Sequence, residues 1–227
     1  MDVLREEEVE SRWEAAPAVA LVTCLQVVLA AASRAESWTT WHFRWWVWLL
    51  PVGPELALLF PLAWQRPHRR LQQMGLRRTV AITLLGFVSA ANVLLVLAVV
   101  ASLVRGDEKS GAQLLLKAVT VWGTNVIAFG LWYWAFDRGG PVRRLRPNPP
   151  PPDFQFPQME NPALAAPGWQ PELIDYLYVS FTNSIAFSPT DAMPLSRRAK
   201  LMMLSESTIS ALTVLLVAAR AVNIFKT

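Results

Sequence analysis

The chain has 227 residues, of which 53% are hydrophobic and only 17% are charged, whereas a soluble domain averages about 25% charged residues. Its net charge of +4 comes mostly from Arg residues in loops rather than on one helical face, which argues against a nucleic-acid-binding surface. The single cysteine, Cys24, lies inside an apolar run, so a disulfide framework is excluded.

Apolar runs dominate the chain after an acidic tail, residues 1–14, that resembles neither a signal peptide nor a transit peptide. A helix needs about 20 apolar residues to cross a hydrocarbon core about 30 Å thick. Lys117, near the start of the fourth run, is expected to snorkel to the interface. The sequence therefore predicts a single all-α membrane domain, a polytopic transmembrane helix bundle. The five predicted spans are residues 15–32, 45–64, 79–104, 112–136 and 201–225.

Two different segments separate the last two predicted spans. The first, residues 137–171, contains four consecutive prolines at 149–152, which favour a stiff, extended connector along the surface. The second begins with about fifteen residues, 173–187, that are rich in Ser, Thr, Asn and Tyr, too few and too polar for a full span. Residues 173–196 are therefore predicted to form a re-entrant hairpin with a short helix.

The distribution of Lys and Arg predicts the orientation. Fourteen of these residues lie in the N-terminal tail and in the loops after the second and fourth spans, and five lie on the opposite side. Because cytoplasmic loops carry the excess of positive charge, five spans place the N-terminus in the cytoplasm and the C-terminus outside. The hairpin would then enter from the cytoplasmic side.

Glu55 is the first candidate for a functional residue, because it lies in the middle of the second predicted span. A carboxylate in the membrane is costly and usually marks a pathway, an ion pair or a proton site. Pro51 and Pro54 predict a kink beside it, as in the broken helices of transporters. Two interpretations are open: Glu55 belongs to a pathway, or it is a structural carboxyl that is protonated or bonded to a neighbouring helix.

The last predicted span carries a polar stripe at helical spacing, which predicts one face towards the interior of the bundle. Asn125 adds an amide in the fourth span, where it either lines a path or bonds two helices together. For Glu206, the acidic residue of this stripe, we expect a role in lining a path or in pairing with another side chain. The stripe consists of Glu206, Ser210 and Thr213.

No enzyme constellation appears in the sequence. It contains no HExxH, no GxSxG and no Gly-rich phosphate loop, and its acids are scattered. We therefore expect neither catalytic activity, nor a metal site, nor a cofactor.

The C-terminal part resembles a group of bacterial inner-membrane proteins of unknown function, of an actinobacterial type. Residues 134–141, with the sequence WAFDRGGP, and the following PDFQFPQ look like the linker of such members. The resemblance implies a location in the bacterial cytoplasmic membrane. The matching residues of the last third are Asp175, Tyr176, Tyr178, 180–182, Phe187, Asp191, 196–198 and Asn223.

The same stretch is remotely similar to the pore module of two-helix potassium channels. Residues 186–190 fall where a TVGYG filter would be, and Asp191 falls where its Asp would be. A potassium filter needs glycines to point successive carbonyls at the ion, and this segment has none. We therefore expect a short re-entrant helix that ends in a Ser-Pro turn and presents polar groups at membrane depth. These groups are Asn183, Ser188, Thr190 and Asp191, with Asp175 at the start of the helix.

Two functions remain open from the sequence. In the first, the hairpin, the broken second helix and the polar stripe line a path for a small ion or solute through a channel-like or transporter-like protein. In the second, the protein is a non-conducting scaffold or an accessory subunit, and its Arg-rich loops contact anionic lipid or a partner. The bilayer is a partner in both, and a homo-oligomer or a complex with another subunit is compatible with either.

Overall fold

The computed structural model describes residues 15–38, 44–63, 77–106, 110–144, 147–188 and 191–224. They are almost entirely helical, as the all-α prediction requires, with one pair of two-residue strands. The long helices are α1 (Ala16–Ala35), α2 (Val52–Ala63), α3 (Arg77–Arg105), α4 (Gly111–Phe136), α7 (Leu173–Ala186) and α8 (Arg197–Ile224). The short elements are α5 (Pro141–Arg144), β1 (Phe154–Gln155), α6 (Pro157–Glu160) and β2 (Met193–Pro194).

Four helices among the described residues are long and apolar enough to cross a membrane: α1, α3, α4 and α8. Their spanning stretches contain 20, 28, 29 and 24 residues, and about 20 residues suffice for a bilayer core. Each of the four agrees with a predicted span to within four residues at either end, apart from the C-terminus of α8, whose last predicted residue lies outside the described part. The assignment of the chain to the membrane proteins therefore rests on these four helices, which have the longest apolar runs.

The predicted second span, residues 45–64, is not one continuous helix. A 3-10 helix covers Trp45–Leu49, a turn follows, and α2 is described over only 12 residues, or about 18 Å. Pro54 lies in the first turn of α2, where a proline is tolerated because first-turn N–H groups need no helical partner. The prolines therefore mark the start of a helix instead of a kink in its middle. Five spans are not established, and residues 64–76 lie outside the described part.

The chain divides into two compact units. The first, called the Glu55 unit, comprises Ala16–Asn125 and Ile209–Thr227, and the second, called the Glu206 unit, includes Val126–Thr208. The core of the Glu55 unit is aliphatic, apart from Trp48, which is fully buried. Its principal members are Leu29, Ala30, Trp48, Leu95, Val96, Val99, Leu103, Leu114 and Val121.

The core of the Glu206 unit is aromatic, and the Pro-rich connector contributes to it. Phe154 and Phe156 are buried against Tyr133 and Tyr176. β1 pairs antiparallel with β2, with Phe154 opposite Pro194. The prediction of a connector that only follows the surface is therefore wrong for residues 153–156, because an extended strand buries alternate side chains.

Helix α7 confirms the short helix predicted at 173–187. Its 14 residues extend about 21 Å, too short to span. A reciprocal capping box between Glu172 and Asp175 begins it, and Phe187, at φ 54°, ends it in the left-handed conformation. Whether α7 enters the membrane as a re-entrant helix stays a prediction.

Gly130 allows α7 to approach α4 closely. A Cβ atom at Gly130 would lie 2.6 Å from Leu177 Cδ2 and 3.0 Å from Leu177 Cα. The second distance involves backbone, which a rotamer change cannot relieve. Small residues at helix crossings permit this kind of backbone approach in membrane proteins.

We predict that Gly130→Ala lowers the thermal midpoint of the protein in detergent. Overpacking of this kind costs about 1–3 kcal/mol, which exceeds the gain of about 1 kcal/mol from replacing a helical glycine with alanine. Gly86→Ala in α3 is the matched control, since a Cβ there meets no atom within 4 Å. The close approach would be contradicted if Gly130→Ala were as stable as Gly86→Ala.

Candidate functional site

The carboxyl group of Glu206 is the centre of a buried polar cluster in the Glu206 unit. Tyr133 of α4 donates its hydroxyl proton to Glu206 Oε2, and Asn183 of α7 donates to the same oxygen over 2.6 Å. Ser180 of α7 is hydrogen-bonded to Glu206 Oε1. All four side chains are 0–1% exposed. Three helices therefore converge on one carboxyl group.

The orientation of the Asn183 amide follows from its other contacts. Its Nδ2 also lies 3.1 Å from the Met203 carbonyl oxygen, which can only accept, and its Oδ1 lies 3.1 Å from Ser207 Oγ. The Met203 contact identifies the amide nitrogen as the atom that faces Glu206, and the Ser207 hydroxyl, which can donate, is compatible with this orientation. The cluster therefore presents donors to Glu206 Oε2.

The remainder of the predicted α8 stripe lies in the Glu55 unit. Ser210 accepts a hydrogen bond from Asn125 Nδ2 over 3.0 Å, and Thr213 bonds back to the Ile209 carbonyl over 2.8 Å. Ser210, Thr213 and Asn125 are all buried. This contact fits the interpretation of Asn125 as a bond between helices, while a lining role stays a prediction.

Glu55 is fully buried in the Glu55 unit and has two partners on α1. Gln26 Nε2 donates to Oε1 over 3.0 Å, and Thr23 Oγ1 lies 3.3 Å from Oε2. Glu55 lies in the first turn of α2, where free N–H groups and the helix dipole favour negative charge. The hydrogen bond from Gln26 of α1 agrees with the interpretation of Glu55 as a structural carboxyl that is bonded to a neighbouring helix.

Lys117 lies on a buried polar face of α4, so the expectation that it snorkels outwards is wrong. Its side chain is fully buried and has an interaction partner. Residues at i−4, i+3 and i+7 from it are polar and buried as well: Gln113, Thr120 and Thr124.

The turn after α7 does not bring its polar groups into the cluster. Asn183 is buried with Glu206, but Ser188 and Asp191 are exposed and Thr190 lies outside the described residues. Asp191 is hydrogen-bonded to Tyr178, and this bond raises the pKa of that phenol. Asp175 caps α7 through the Glu172 N–H, over 2.7 Å. Of the predicted hairpin residues, only Asn183 joins the site.

Asp137 organises a second buried network that the sequence analysis missed. Its Oδ1 accepts the backbone N–H groups of Asp153 and Phe154, over 2.7 and 3.2 Å. Its Oδ2 accepts the Tyr176 hydroxyl over 2.6 Å, and burial raises the pKa of that phenol, which keeps it a donor. One carboxylate thus joins the end of α4, the connector and α7.

Two arginines complete this network. Arg144 donates to Tyr176 Oη over 2.7 Å and to the carbonyl oxygens of Pro171 and Trp134. Arg198 Nη2 contacts Asp153 Oδ2 over 2.6 Å. In the sequence these arginines indicate only membrane topology, so their pairing was not predicted. The DRGG sequence was the available signal of a tight turn at Asp137. In the structure Gly140 has φ 103°, and a Cβ there would lie 2.9 Å from the Ala135 carbonyl oxygen.

We predict that Asp137→Ala releases the connector. The change leaves three buried donors without their acceptor, at a cost of about 1–3 kcal/mol each. The melting temperature should fall, and limited proteolysis should cut within residues 147–172. Asp191→Ala, at an exposed aspartate, is the control. Unchanged melting and cleavage in Asp137→Ala would contradict the proposed role of Asp137.

Among the described residues, no group of three or more His, Cys, Asp or Glu side chains is arranged to hold a metal ion. In comparisons with known proteins, no family model, no curated protein and no solved structure matches the chain.

Proposed function

We propose that the protein is a channel-like or transporter-like protein that carries a small ion or solute across the bacterial inner membrane. The observation that carries this proposal is the burial of Glu206 among Tyr133, Ser180 and Asn183. An ionisable group inside a membrane protein is costly, and it usually serves a substrate or proton pathway.

The composition of the helix faces supports the proposal. Lys117 and Glu55 are fully buried, in addition to Glu206. A scaffold could hold its helices together with uncharged side chains such as Asn125 and Ser210, at lower desolvation cost. The buried ionisable groups, above all Glu206, therefore favour transport over the alternative of a non-conducting scaffold or accessory subunit, although the bonds of Glu55 to α1 suit either function.

Potassium selectivity is not part of the proposal. Residues 186–190 contain no glycine, and the described part of this turn is exposed at Phe187 and Ser188. A potassium filter requires a run of carbonyl oxygens aimed at one axis. The similarity to a pore module therefore supports only a helix–turn–helix arrangement.

We predict that Glu206→Gln folds normally but loses flux in proteoliposomes. Glutamine matches a protonated glutamic acid in shape: its carbonyl accepts from Tyr133 and Asn183, while its amide donates to Ser180. It cannot exchange a charge, so flux of the transported ion should fall by at least about tenfold, the effect of about 1.4 kcal/mol on a barrier.

Glu160→Gln, at an exposed acid of the same unit, is the matched control and should keep wild-type flux. The transport proposal is rejected if the wild-type protein supports no flux of protons, alkali cations, anions or small solutes at any pH or potential. It is also rejected if Glu206→Gln carries flux at the wild-type rate.

The N-terminus is proposed to lie in the cytoplasm, and a reporter fused there tests this. If residues 45–64 cross the membrane, the Lys and Arg residues divide fourteen to five with the N-terminus inside. If they do not cross, the division is again fourteen to five, but the N-terminus lies outside. A cytoplasmic reporter supports five crossings, and an external one supports four. A C-terminal reporter should be external in both cases and serves as the control.

A further inference from the structure

We infer that Glu206 is a reversible proton-binding site, in which the Ser180 hydroxyl reverses its hydrogen bond when the proton leaves. The inference rests on the proposed transport function and deepens it, because it names the proton as the ion that binds at this site.

The Ser180 hydroxyl has two hydrogen-bond partners but only one proton. Ser180 Oγ lies 2.7 Å from the Val126 carbonyl oxygen and is also hydrogen-bonded to Glu206 Oε1. A serine hydroxyl has one proton, and the Val126 carbonyl oxygen can only accept. If Ser180 donates to Val126, the bond to Glu206 Oε1 needs a proton from the carboxyl itself. The geometry is therefore complete when Glu206 is protonated.

The same atoms also serve the ionised carboxyl. After Oε1 loses its proton, the Ser180 hydroxyl can turn and donate to Oε1 instead of Val126. The Val126 carbonyl lies inside α4 and retains the helical acceptor position towards the N–H four residues later. Rotation of one hydroxyl thus exchanges the two hydrogen-bond patterns, and no helix has to move.

Glu206 Oε2 has the same partners in both states. Tyr133 and Asn183 both donate to it, and the Asn183 amide is held in this orientation by Met203 and Ser207. Tyr133 of α4 is a titratable side chain that contacts the carboxyl, while α7 presents the uncharged Ser180 and Asn183. Donors of this kind can stabilise either a carboxylic acid or a carboxylate.

The donor set argues for a proton rather than a metal cation. Sodium, calcium and magnesium ions need several oxygen acceptors that point at one position. Here the Asn183 amide presents nitrogen to the site, and its Oδ1 accepts from Ser207. In the release step, the O–H bond of Glu206 breaks, its electron pair stays on Oε1, and water accepts the proton.

Infrared spectroscopy of the purified full-length protein in lipid nanodiscs tests the inference. The protonated carboxyl of Glu206 should give a C=O band that titrates reversibly with pH, shifts in heavy water, and disappears in Glu206→Gln. Glu55→Gln separates this band from that of the other buried carboxyl and should leave it unchanged.

Reversible titration is the readout that a merely structural glutamate would not give, and Tyr133→Phe tests the assignment of the band to the carboxyl that Tyr133 contacts. The substitution removes one donor from Oε2, so the band should persist but move to higher frequency. If the Glu206 band is absent at every pH, or if it is present but neither titrates nor shifts in heavy water, the inference fails.

The outcomes also separate this inference from the transport proposal. A titrating Glu206 band in a protein without flux rejects transport and keeps the proton site. Flux that depends on Glu206 without a titrating band keeps transport and rejects the proton as the ion bound at this site.

Discussion

The close approach of α7 to α4 at Gly130 is the constraint on which the Glu206 unit depends. Leu177 Cα lies only 3.0 Å from where a Cβ at Gly130 would stand, which is closer than van der Waals contact. At this separation α7 lies near enough to α4 for Ser180 to reach the Val126 carbonyl oxygen. Ser180 and Asn183 lie one turn apart on α7, and both meet the carboxyl of α8. A larger residue at 130 would push α7 away from α4 and weaken the hydrogen bonds that Ser180 and Asn183 make to the buried carboxyl.

The Asp137 network fixes the entry of the chain into α7. Asp137 accepts from the connector and from Tyr176, and Arg144 bonds both Tyr176 and the Pro171 carbonyl just before α7. Prolines in the connector reduce the entropy lost when this segment becomes ordered, because their φ is already restricted. The two aromatic rings of Phe154 and Phe156 then add apolar burial at the same place. Restricted backbone, buried aromatics and one carboxylate together position the first turn of the helix that carries Ser180 and Asn183.

The parts of the fold that could be predicted were those decided locally along the chain. Four long helices follow from apolar length alone, since a bilayer-sized run has few alternatives. The buried face of α8 follows from the spacing of Glu206, Ser210 and Thr213. The break in residues 45–64 was placed wrongly because Pro51 and Pro54 were assigned to a kink within a helix, although a proline fits the first turn of a helix as well. Neither periodicity nor charge could have paired Asp137 with Tyr176 or Asp153 with Arg198, since these partners are 39 and 45 residues apart.

The order of importance of the two buried acids also changes when their surroundings are compared. Glu55, the first candidate from sequence, lies in the first turn of α2, beside the helix N-terminus, and Gln26 of α1 donates a hydrogen bond to it. Glu206 is the tenth residue of α8, where neither helix end contributes, because such effects fall off within a turn. Its state depends on side chains that can rearrange, above all the hydroxyl of Ser180. A carboxyl held by a rotatable hydroxyl is better suited to proton exchange than one held by a helix terminus and a side-chain amide. Glu206 is therefore the better candidate for the group that changes its charge during transport.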